Sequence, residues 1–114
     1  MMQDWNAYRE TLLERVGDYA KQSPDVMRGL MTIDGAGAKT GHLDPKTHEL
    51  IALAVAVTTH CDGCISVHTK KAVEHGATLE EISEALGVAI ALNAGAALTY
   101  SARVVEAYQQ VSNK

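Results

Sequence analysis

Two cysteines and a histidine stand close together in "VTTHCDGCISVHTKKAVEHG", residues 57–76. Cys61 and Cys64 are three apart, and His68 follows the second by four. A helix N-terminus carries partial positive charge and free N–H groups, so a cysteine there ionises below the ~8.5 of a free thiol. The spacing lets the two sulfurs meet within one turn, as a disulfide requires. His68 shares a helical face with Cys64 and can take or return its proton. A thiolate attacks a peroxide oxygen and becomes a sulfenic acid, which a neighbouring thiol resolves to a disulfide. Nucleophile, base and resolver are therefore all within one short stretch.

Two other readings use the same residues. His60, Cys61, Cys64 and His68 are four zinc ligands by type, and a Cys₂His₂ set is an accepted one. Against it, the adjacent side chains of His60 and Cys61 diverge, and no second C-x-x-C or H-x₃₋₅-H pair follows. The plainest reading is that two small apolar residues and a half-buried histidine pack together.

The rest of the chain must position this stretch. It has 114 residues, enough for one domain, 1–114, with 46% hydrophobic and 21% charged residues. The net charge of −4 gives no electrostatic case for nucleic acid. The N-terminus lacks the apolar core of a secretory signal, and the apolar runs fall short of the ~18–20 residues of a membrane span. A cytoplasmic protein is expected, in which a cysteine pair means redox, catalysis or metal more often than a structural bridge.

The pattern predicts an all-α chain of five or six helices. Residues 4–22 carry a helical stripe of Trp5, Tyr8, Leu12, Val16 and Tyr19. Residues 23–39 open on Ser23-Pro24, repeat Val26, Leu30 and Ile33, and are expected to fade at Gly35 and Gly37. Asp44-Pro45 starts a third helix, 44–60, and Asp62-Gly63 a turn into a fourth that closes at His75-Gly76. Thr78 and Glu81 form a capping box for 78–93, and 93–111 is a last helix, or a continuation bent at Gly95. His42 and His48 are expected to be solvated, as are Glu80, Glu81 and Glu84, while Tyr100 and Tyr108 should pack. Residues 50–57 and 85–92 have no polar face, and the chain has no Phe and one Trp. Two such helices in so small a domain predict a homo-oligomer.

The stretch 44–86, "DPKTHELIALAVAVTTHCDGCISVHTKKAVEHGATLEEISEAL", resembles the core of the carboxymuconolactone decarboxylase superfamily, and more closely its AhpD-like alkylhydroperoxidase branch. That branch's pattern of Glu, twelve positions to C-x-x-C, then x-x-x-His reads here as Glu49, Cys61, Cys64, His68. The resemblance implies an all-helical fold assembled as trimers or hexamers. It implies Cys64 as the peroxidatic thiol, Cys61 as the resolving thiol, and His68 with Glu49 as a proton relay. The substrate would be a hydroperoxide and the reductant a dithiol or thioredoxin-like protein, with no cofactor. One departure is Gly63, where the best-known relative has a His. The superfamily's decarboxylase branch, acting on a small lactone acid, does not use the cysteine pair and is the alternative activity. A non-catalytic zinc-binding or scaffold module is the alternative outside catalysis. Glu49 stands apart from the other three: in one continuous helix it lies ~18 Å along the axis from Cys61, at about 1.5 Å per residue. It reaches His68 only if the helices cross obliquely, the first is broken, or a neighbouring subunit supplies the carboxylate.

Overall fold

The computed structural model describes residues 1–113, and its described elements are five α-helices. They are α1 (Trp5–Gln22), α2 (Pro24–Thr40), α3 (Pro45–Thr59), α4 (Asp62–Glu74) and α5 (Leu79–Ser112). The main packing is α3 between α4 and α5, with α1 laid on α4 and α2 attached through α1.

The ends are where the local chemistry puts them. The Asp44 carboxylate accepts the Thr47 N–H at 2.7 Å and Pro45 occupies the first turn of α3. The same bond holds the Asp44 carboxyl below its usual range. Thr78 and Glu81 exchange both bonds of a capping box at the start of α5, at 3.1 and 2.9 Å. Glu81 is not simply solvated: it also receives the Lys46 ammonium at 2.7 Å, tying α3 to α5. The Lys46 bond, helped by the Thr78 N–H, lowers the Glu81 carboxyl, and the same pairing raises the Lys46 ammonium. At the end of α4, Gly76 turns left-handed at φ 82° and the Ala77 N–H returns to the Ala72 carbonyl at 2.9 Å, a Schellman stop.

One helix end is corrected. Gly35 and Gly37 do not end α2, which runs on to Thr40 and stops at Gly41, left-handed at φ 71°. Of the two expectations for the last segment the continuation holds: Gly95 does not divide it, and α5 is one helix of 34 residues. A helical glycine costs only ~1 kcal/mol against alanine, which the bonds around it offset. Here Asn93, two residues before, donates to the Ala89 carbonyl at 2.8 Å and to Thr58 Oγ1 on α3 at 2.9 Å.

The interior is thin. Leu53, Ala56, Ala72 and Ala89 are the buried hydrophobic residues, and Ser66 is buried with them. The radius of gyration is 19.0 Å, against about 13 Å for a compact chain of this size. The apolar helices 50–57 and 85–92 are not enclosed: Ile51, Val55, Val88, Ile90 and Leu92 are all exposed. Tyr100 and Tyr108, expected to pack, are also exposed, and Arg103 lies over the Tyr100 ring. Joined into one helix, the apolar segments of α5 make it long and apolar enough to cross a membrane by length and composition, which separate runs were not.

Candidate functional site

The two functional helices are joined with no intervening loop. His60 ends α3 in the left-handed region, at φ 56° and ψ 48°, and the Cys61 N–H reaches back to the Ala56 carbonyl at 3.0 Å. A non-glycine residue there carries a cost of ~1–2 kcal/mol, offset by the bonds that close the helix. Cys61 is at once the N-cap of α4: its backbone is extended, and its Sγ accepts the Cys64 N–H at 3.1 Å. A sulfur therefore takes the place usually held by a serine or aspartate oxygen. The Cys61 carbonyl accepts the Ile65 N–H at 3.0 Å, the first bond of the helix. Cys61 and Cys64 form a disulfide, with Cα atoms 5.3 Å apart.

His68 lies one turn further along α4. Its Nδ1 is 2.7 Å from Glu49 Oε2, with the side chains 24% and 13% exposed. The carboxylate comes from the same chain and α3 is unbroken, so the pairing needs neither a neighbouring subunit nor a kink. A carboxylate is an acceptor only, so it selects the tautomer with the proton on Nδ1. Nε2 is left with its lone pair free to accept a proton. Among the four residues singled out in the sequence, the structure thus brings together two pairs on adjacent helices, Cys61 with Cys64 and Glu49 with His68. His60, the remaining zinc candidate, is exposed at the helix junction. Among the described residues, no three His, Cys, Asp or Glu side chains converge as a metal set.

A cleft of about 1080 Å³ opens beside the Glu49–His68 pair, between α2, α3 and α4, and neither cysteine lines it. His68, Lys71 and His75, at helical spacings of three and four, line one wall. His48 lines another, and it is not solvated as expected. Its ring lies against α2, where a Cβ at Gly37 would meet Cε1 at 3.1 Å. Lys71 was legible as a neighbour of His68 from spacing alone; the His48–Gly37 approach, between separate helices, was not.

The first turns of α4 are held from outside by α1. Arg9 Nε donates to the Ser66 carbonyl at 2.7 Å, and its Nη1 to Asn6 Oδ1 at 2.9 Å. Ser66 is 1% exposed and its hydroxyl donates to the Gly63 carbonyl at 2.8 Å. A Cβ at Gly63 would stand 3.0 Å from Leu12 Cδ2, so the absent side chain is what admits Leu12. Nothing in the sequence pointed to Arg9 or Leu12 as neighbours of the cysteines.

Residues 24–107 match the model of the carboxymuconolactone decarboxylase family, and the chain belongs to that family. It is 48% identical over 108 residues to an uncharacterised protein of Haemophilus influenzae, covering 95% of this chain and 96% of that one. It is 32% identical over 96 residues to an uncharacterised protein encoded in the cox locus of Paracoccus denitrificans, covering 84% and 86%. Among solved structures it is similar to a carboxymuconolactone decarboxylase family protein from Legionella pneumophila. That likeness has a TM-score of 0.73 at 36% identity and covers 93% of this chain and 95% of that one.

Proposed function

We propose that the protein is an AhpD-like thiol peroxidase and disulfide reductase, a cytoplasmic antioxidant enzyme that reduces organic hydroperoxides. The observation that carries this reading is a Cys61–Cys64 disulfide at the mouth of α4 with a carboxylate-held imidazole one turn further in. His68 Nε2 takes the Cys64 proton. The thiolate attacks the terminal peroxide oxygen, the O–O bond breaks, and the alkoxide leaves with the proton that His68 returns. The Cys61 thiol, its sulfur already on the Cys64 N–H, attacks the Cys64 sulfenic acid and releases water. A dithiol or thioredoxin-like reductant then donates two electrons and two protons to regenerate the pair. Glu49 fixes the imidazole tautomer, keeping the proton on Nδ1.

Counting thiols tests this directly. A slight excess of organic hydroperoxide added to the reduced protein should remove two thiols per chain, and a dithiol should restore both. Retention of both thiols under hydroperoxide overturns the reading. The cleft beside Glu49 and His68, which has no sulfur in its walls, favours the lactone decarboxylase activity as a second reading. That activity would survive alkylation of both cysteines, and peroxide reduction would not.

The working unit is a homo-oligomer, a trimer or hexamer. Support comes from the thin interior and from two uncovered stripes: Val26, Leu30 and Ile33 on α2, and Tyr100, Val104, Tyr108 and Val111 on α5, each at least half exposed. The apolar length of α5 is accounted for in the same way, by a second copy rather than a bilayer. Val104→Asp, which would bury a charge in the interface, should sediment as single chains and lose a cooperative melt. Wild-type protein that sediments as single chains rules the assembly out.

A further inference from the structure

The contacts between α1 and α4 form a register. Arg9 meets Ser66 and Leu12 meets Gly63, so three residues along α1 match three residues backwards along α4. The two anchors therefore span one turn of each helix, running antiparallel, and the turn they span on α4 contains Cys64. Ser66 ties that turn to itself by donating to the Gly63 carbonyl. The Leu12 contact is made with residues 61–64 in their closed, disulfide-bonded shape, and opening that turn would move Gly63 relative to α1. Among the described residues the Arg9–Ser66 bond is the one side-chain hydrogen bond from α1 to α4, and no residue of α1 is fully buried.

The disulfide closes the same turn covalently. In the dithiol form that covalent closure is lost, and the turn is held by hydrogen bonds alone, among them the Ile65 N–H to the Cys61 carbonyl and the Ser66 hydroxyl to the Gly63 carbonyl. A contact that requires the closed turn must favour the state in which the turn is closed, and by linkage the preference runs in both directions. We propose that α1 is a redox-coupled element of this centre, with Leu12 and Arg9 as positioning residues that favour the Cys61–Cys64 disulfide, and that reduction of the pair loosens α1. The proposal rests on the reading that the pair cycles between disulfide and dithiol, and not on the identity of the oxidant.

The test is equilibration with glutathione. One glutathione thiolate attacks a protein sulfur and breaks the Sγ–Sγ bond, and a second releases the mixed disulfide. Two glutathione molecules thus become one glutathione disulfide, and the protein gains two electrons and two protons. The fraction reduced is read by alkylation and mass. Leu12→Ala and Arg9→Gln should each shift the equilibrium about fivefold or more towards the dithiol. Leu12→Met, which refills the space against Gly63, should restore it. Leu13→Ala, at a neighbouring exposed position on α1, should leave it unchanged. A wild-type equilibrium in both Leu12→Ala and Arg9→Gln overturns the proposal, as does an equal shift in Leu13→Ala. Should the variants fail to fold, the wild-type chain still decides. Amides of residues 5–22 should exchange faster in the dithiol form than in the disulfide form, and equal rates overturn the coupling. A chain that shows the coupling but consumes no hydroperoxide refutes the peroxidase reading alone. One that consumes hydroperoxide without the coupling refutes only this proposal.

Discussion

Cys64→Ser should reduce hydroperoxide consumption to the uncatalysed background, while Cys61→Ser should consume one equivalent per chain and then stop. The asymmetry follows from the chemistry assigned to each sulfur. Without Cys64 the chain loses the sulfur that lies one helical turn from His68, and serine at ordinary pH has no comparable nucleophile. Without Cys61 the first step proceeds, but the sulfenic acid has no partner thiol and accumulates until an external thiol or a second peroxide reaches it. Quenched-flow measurement of peroxide loss, with a sulfenate-selective trap and mass analysis of Cys64, distinguishes the two. Stalling should be relieved by small external thiols, which replace the missing resolver. Undiminished turnover in both variants would remove sulfur from the mechanism and leave the decarboxylase reading.

The second large effect is expected at the imidazole. His68→Ala should slow the peroxide step by ~10²–10⁴, the range over which a positioned general base contributes. Glu49→Gln should lose much of the same factor with His68 still in place. A carboxylate only accepts, so it keeps the proton on Nδ1 and the lone pair on Nε2. An amide can donate as well, and once it does the tautomer reverses and Nε2 no longer accepts. Glu49→Asp, which keeps the charge but shortens the reach, should fall between. The Cys64 thiol of His68→Ala should ionise at higher pH than in the wild type, read from its thiolate absorbance in a Cys61→Ser background. An unchanged thiol titration together with an unchanged rate would return Glu49–His68 to a purely structural pairing.

What was legible in the sequence was whatever is decided within about one helical turn. Asp44, Thr78 with Glu81, and Gly76 stop and start helices through bonds to residues three to five positions away. The cysteine pair and His68 were legible for the same reason. The contact between Glu49 and His68 was not, because 19 residues of intervening chain decide whether their side chains meet, and that depends on how α3 passes α4. The family pattern suggested the pairing where helical geometry alone argued against it. Gly95 left two outcomes open because a breaker is read by its own propensity, while Asn93 and the α3–α5 packing decide between them. Leu12 and Arg9 left no trace at all: a leucine in an apolar stripe and an arginine on a helix have the same appearance whatever they touch. The surplus of apolar surface was readable from 50–57 and 85–92, but its excess over what one chain can enclose emerged only when Ile51, Val55, Val88 and Leu92 proved exposed.

Cys61 closes one helix with its N–H and opens the next with its sulfur, so the junction contains no slack. One residue added between Thr59 and Cys61 would break this join, because the Cys61 N–H could no longer reach the Ala56 carbonyl while its sulfur caps α4. His68 would swing away from its carboxylate, and the sulfurs would leave the place where the backbone dipoles converge. The chain can exchange side chains at this junction far more freely than it can change its count of peptide units, which makes the spacing itself a part of the proposed site.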